Sequence, residues 1–146
     1  KAGNKALDEF HDQYKDESNI LDKWLVLQAT TPYGDVVGNI KSIMQQPIFD
    51  ITNPNKVRSL VGHFAANNPL KFHANDGSGY KLLADTIIEL NEVNPATAAR
   101  MCVSFLQWKR YEESNQSMMK IQMQRIMDMP DLKTAISELI GKALSQ

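Results

Sequence analysis

Asn53–Tyr80, NPNKVRSLVGHFAANNPLKFHANDGSGY, is the stretch whose reading decides the fold. Asn53-Pro54 is a helix start. The Asn side-chain oxygen caps free amides, and Pro at the first helical position has its φ preset and no N–H to leave unpaired. Val57, Leu60, Val61 and Phe64 then recur at helical spacing and define a buried side. Asn67-Asn68-Pro69 stops this helix, and a polar, turn-rich loop continues through Gly77-Ser78-Gly79. A plain scaffold has no need of two histidines, an arginine and an Asp-Gly-Ser-Gly run in such a segment, so it marks a candidate functional region.

Outward from there the chain reads as helix after helix. Before it, Ala2, Leu7, Phe10 and Tyr14 predict a first helix to about Lys15. Ser18 is placed to cap a second that carries Leu21, Trp24, Leu25 and Gln28 on one face and ends near Thr30. Pro32 and Gly34 break the chain. A third helix has Val36, Val37, Ile40, Ile43 and Met44 as its apolar stripe, and Pro47 ends it. After the opening stretch, Leu82, Leu83, Ile87, Ile88 and Leu90 predict a fifth helix whose loop ends in a Ser78 cap. Asn94-Pro95 starts a sixth, with Ala98, Ala99, Cys102, Phe105 and Leu106 inside. A seventh spans about Tyr111 to Met127 on Met118, Ile121 and Ile126. Pro130-Asp131 opens the last, with Leu132, Ala135, Ile136, Leu139 and Ala143 in step. No segment alternates long enough to read as a strand. The expected fold is all-α, about eight short helices in antiparallel pairs. The two Asn-Pro starts at 53 and 94 lie about 40 residues apart, within the period of roughly 40–47 residues of HEAT or armadillo repeats, so a curved α-superhelix is expected.

Composition bounds the function. The 146 residues form a single domain by length, 42% hydrophobic and 23% charged, with a formal net charge of -1. No basic footprint for nucleic acid is present, and no apolar run approaches the roughly 20 residues of a membrane span. Cys102 is the sole cysteine, which excludes a disulfide framework and points to a cytoplasmic setting. Within Met101-Cys102-Val103 it reads as a small buried hydrophobe. The start at Lys1, without Met or an apolar leader segment, suggests a piece of a longer protein.

Site chemistry is sparse. His11, His63 and His73 form no His-Glu-x-x-His pattern, so no metal site is expected. Asp76-Gly77-Ser78-Gly79-Tyr80 opens a helix but lacks the Gly-Lys-Ser/Thr of a phosphate loop, and its glycines suit a tight turn. Ser59, Ser78 and Ser104 lack a nucleophile-elbow context. Met118, Met119, Met123, Met127 and Met129 read as core filler. Arg58 and Arg100 sit on the second turn of the two Asn-Pro helices. They are either solvated surface residues or, if the hairpins stack, two donor forks facing one cavity and suited to a carboxylate or backbone carbonyls.

DKWLVLQATTPYGDVV, NPNKVRSLVGHFAANNP, KFHANDGSGYKLLAD, LNEVNPATAARM and WKRY, in this order and spacing, closely resemble the C-terminal helical domain of bacterial aminopeptidase N, a gluzincin zinc metallopeptidase. The resemblance runs from about Leu21 to Leu144. It implies a full-length enzyme that removes N-terminal residues from peptides with a zinc ion on a preceding thermolysin-like domain. That domain carries the Gly-x-Met-Glu-Asn motif, the zinc helix and the catalytic tyrosine. No catalytic residue and no zinc ligand is then expected in this segment, which alone should cleave nothing. It would close over the catalytic domain of the same polypeptide and roof a substrate chamber. The matching positions for chamber arginines are Arg58 and Arg100. Some members carry glutamine where this chain has Ala96. The loop bearing His73, Asp76 and Tyr80 is then expected to meet the other domain. The competing reading is a stand-alone helical-repeat module that binds a partner protein in its groove. A His-Glu-x-x-His helix upstream of Lys1 would favour the first reading, a start codon the second.

Overall fold

A computed structural model describes residues 18–146, and the expected first helix, with His11, lies outside the described residues. Among the described residues every regular element is helical. The elements are α1 (Ser18–Thr30), α2 (Val36–Met44), α3 (Pro54–Val57), a π turn (Arg58–Gly62), α4 (His63–Asn67), α5 (Pro69–Phe72), α6 (Ser78–Val93), α7 (Pro95–Met101), two 3₁₀ turns (Cys102–Phe105 and Trp108–Arg110), α8 (Glu113–Met127) and α9 (Thr134–Leu144). Among the described residues no helix is long and apolar enough to cross a membrane.

The Asn-Pro pairs perform as the sequence implied. Asn53 accepts from the Asn55 amide and Asn94 from the Thr97 amide, each followed by Pro inside its helix. A third pair does the same. Asn68-Pro69, expected only to stop a helix, also starts α5, because the Asn68 side chain accepts from the Lys71 amide. Its other end donates to the carbonyls of Ala29 at 2.9 Å and Thr31 at 2.8 Å. These are carbonyls at and just past the C-terminus of α1, where a helix leaves acceptors without intrahelical partners. One buried amide thus ends α1, begins α5 and ties them together.

Three expectations shift. The sixth helix is α-helical only to Met101 and tightens into 3₁₀ turns, although Cys102 and Phe105 remain buried as expected. The α8 core stripe is Met119, Met123 and Ile126, while Ile121 is 62% exposed. The last helix begins at Thr134 rather than beside Pro130. Fully buried Asn91 explains that delay: its side chain donates to the Asp131 carbonyl at 3.0 Å and accepts from the Lys133 amide at 2.9 Å, holding 131–133 out of helical geometry.

Packing is continuous rather than split into layers. α1 lies along the run 54–67, and the buried Lys56 ammonium bonds Asp22 across them at 2.6 Å. α6 is the central strut, touching α2, α5, α7 and α8. Leu82, Leu83, Ala84, Ile87 and Leu90 make it buried on most of its circumference. α9 closes over α7 and α8, and the Trp108 indole N–H donates to the Ala143 carbonyl at 3.0 Å.

Candidate functional site

A cleft of about 370 Å³ opens between the run 54–67 and the segment 97–104. Both sequence-selected arginines line it. Arg58 reaches it from the π turn, where its Nη2 donates to Asn55 Oδ1 at 3.3 Å, and Arg100 reaches it from the last turn of α7. Both side chains belong to exposed residues, and no carboxylate pairs with either among the described residues. Gly62 and Met101 form part of the wall. A methyl on Gly62 would sit 3.3 Å from Met101 Cε and 3.6 Å from Arg58 Cγ, so the wall is closely packed at this position.

His63 lines the same cleft, and sequence reasoning missed it as a partner of Arg58. In a regular α-helix, residues five apart point roughly 140° away from each other. Here the His63 N–H donates to the Arg58 carbonyl, the wide i→i+5 bond of a π turn, which brings the two to one side. No sequence signal for that turn was available beyond the flexible Gly62. His63 Nδ1 receives a hydrogen bond from Asn67 Nδ2 at 2.8 Å.

The loop residues have a different fate. Tyr80 is fully buried, and His73 is half-buried against it. Asn115 Nδ2 donates to the Tyr80 hydroxyl at 2.9 Å, and that hydroxyl shares a hydrogen bond with His73 Nδ1 at 2.5 Å. The His73 ring lies 4.3 Å from the Tyr111 ring. Burial lowers the His73 pKa and raises that of Tyr80. Asp76 is exposed and takes both the Ser78 amide at 2.9 Å and the Ser78 hydroxyl at 2.7 Å, which lowers its pKa. Asp76 therefore does the capping that was expected of Ser78, with Gly77 supplying a φ of +74° before the helix. The three residues are knit into their own chain, and none of them lines the arginine cleft.

Among the described residues no three His, Cys, Asp or Glu side chains gather as a metal site. The Cys102 thiol is buried, its pKa pushed up to about 12 by desolvation, and it donates to the Ala98 carbonyl at 3.3 Å. That makes it a small core residue rather than a reactive thiol.

The chain is 40% identical over 140 residues to aminopeptidase N of Caulobacter vibrioides and 36% over 139 residues to that of Escherichia coli. With the Haemophilus influenzae enzyme it shares 39% over 138 residues. These matches take in 94–96% of the chain but only 16% of each relative, so the chain spans about one-sixth of their length. A crystal structure of Legionella pneumophila aminopeptidase A in complex with aspartic acid superposes with a TM-score of 0.84 at 31% identity, covering 97% of this chain and 16% of that one. Residues 1–145 match the family described as "Domain of unknown function (DUF3458_C) ARM repeats". With its all-helical architecture and its likeness to one part of much longer aminopeptidases, the chain belongs to this DUF3458_C family of ARM-repeat domains.

Proposed function

We propose that this chain is the C-terminal, non-catalytic domain of a cytoplasmic zinc aminopeptidase that removes N-terminal residues from peptides. In this reading the zinc and the bond-breaking groups belong to the preceding catalytic domain of the same polypeptide. The ARM-repeat domain closes the substrate chamber, and Arg58 and Arg100 face the bound peptide. The observation that carries the reading is their shared cleft: two guanidiniums from separate segments line one cavity, and among the described residues no carboxylate neutralises them. Relatives named aminopeptidase N, similar along nearly the whole chain, support it. Such a pair contributes binding energy to the part of a substrate remote from the reacting bond.

The test uses the full-length polypeptide. Arg58→Ala and Arg100→Ala each remove a charge-assisted hydrogen bond, so kcat/KM for tri- and tetrapeptides should fall about tenfold further than for a small chromogenic amide. Equal falls on both substrate types refute the assignment.

A further inference from the structure

The arginine cleft contains a third donor that the resemblance does not supply. His63 lines it, and Asn67 Nδ2 approaches His63 Nδ1 at 2.8 Å. An amide NH₂ can only donate, so Nδ1 of the neutral ring accepts and the ring proton sits on Nε2. Asn67 is one turn on in the same helix and also lines the cleft, so the tautomer is set by a local contact. The π turn places His63 on the side of Arg58, and Arg100 faces them from α7. Between these donors Gly62, Ala66 and Met101 form an apolar surface, and among the described residues no Asp or Glu lines the cleft.

This combination discriminates. A cation meets two guanidiniums and is repelled. A bare inorganic anion satisfies the donors but leaves the apolar surface wet. A carboxylate attached to an apolar body satisfies both, because carboxylate geometry matches the guanidinium fork and a third N–H can take a remaining lone pair. We propose that His63, its tautomer set by Asn67, is a specificity-determining donor that acts with Arg58 and Arg100 to recognise a carboxylate carried on an apolar body. This rests on the reading that a peptide reaches the cleft, and it names the part bound: a free carboxylate, from the peptide C-terminus or from an acidic side chain near it.

The experiment measures KM and kcat of the full-length polypeptide on three peptides: Ala-Ala-Leu with a free carboxylate, its C-terminal amide, and Ala-Ala-Glu amide. The free acid should show a KM about tenfold below that of the Leu amide, with similar kcat, the size expected for charge-assisted bonds in a half-open site. His63→Phe keeps a ring and removes the donor, and it should shrink that acid-to-amide KM ratio about fivefold. His63→Gln retains an N–H donor and should restore most of the ratio, which a merely space-filling ring would not allow. A low KM for the Glu amide assigns the carboxylate to a side chain, and a high one assigns it to the C-terminus. An acid-to-amide ratio unmoved by His63→Phe overturns the role of His63. Equal KM values for all three peptides overturn carboxylate recognition, while the Arg58→Ala and Arg100→Ala contrast between peptides and the small amide separately decides the domain's function.

Discussion

Replacing Gly79 by Ala inverts the usual consequence of that substitution. In a solvent-exposed helix, Gly→Ala stabilises by about 1 kcal/mol through backbone entropy. Gly79 is the second residue of α6 and is buried. A methyl there would overlap the Phe72 carbonyl oxygen and sit 2.7 Å from Phe72 Cα and 2.8 Å from its carbonyl carbon. These are backbone atoms, so no rotamer change relieves the clash, and α6 must retreat from α5 by roughly 1 Å to regain ordinary contact. Phe72 packs edge-on against Phe64 at 5.8 Å and Tyr80 at 5.1 Å, and Tyr80 carries the bonds to His73 and Asn115. Overpacking of this kind costs about 1–3 kcal/mol, and loosening the two hydrogen bonds adds about 1 kcal/mol each. Against a gain below 1 kcal/mol this close to the helix start, the net effect is a loss of about 2–5 kcal/mol. The Tm should fall by about 4–20 °C in a chain of this size. Urea unfolding followed by far-UV circular dichroism measures it. Gly38→Ala is the control, since the atoms nearest its methyl all belong to the Asp35 side chain, with Asp35 Cγ at 2.7 Å. Loss of the Asp35 cap to the Gly38 amide, about 1 kcal/mol, then offsets the helix gain, and the variant should be near neutral. A Gly79→Ala chain as stable as wild type would refute the packing argument.

Asn68→Ala removes two bonds to the end of α1 and the cap of α5, leaving the Ala29 carbonyl buried without a partner. It should cost about 3 kcal/mol, seen as a lower urea midpoint at unchanged m-value, and a loss under 1 kcal/mol contradicts the tether. His73 has a depressed pKa in the fold, so the unfolded chain binds its proton first. Stability contributed by the neutral ring is present above about pH 6.5, the ordinary histidine value, and is lost as pH falls through the lower folded value. Wild type should therefore weaken more than His73→Gln between pH 7.5 and 5.5, and parallel urea midpoints across that range would count against it.

Legibility in the sequence followed the locality of the cause. Asn53-Pro54 and Asn94-Pro95 could be read directly because a cap is a matter of a few adjacent residues. The buried sides of α2 and α6 followed from spacing, since Ile40, Ile43, Leu83 and Ile87 admit one register. In α8 too many apolar residues offered two, and tertiary packing chose Met119 and Met123 over Ile121. The start of α9 was hidden because Asn91, some forty residues upstream, holds its approach. Both cleft arginines were visible from their equivalent places after Asn-Pro. His63 was not, because the π turn that aligns it with Arg58 leaves the α-helical period, and that period was the ruler in use.

The bond from the Trp108 indole to Ala143 gives the molecule an optical reporter at its far end. The chain has two tryptophans, and they differ in setting: Trp24 is 40% exposed, whereas Trp108 is 4% exposed beneath α9. A soluble quencher added to the native protein therefore extinguishes chiefly the light from α1. The emission that survives comes from the indole under the last helix. Its shift to longer wavelength marks the moment α9 lifts away, so undocking of the final helix can be followed in time with no label attached.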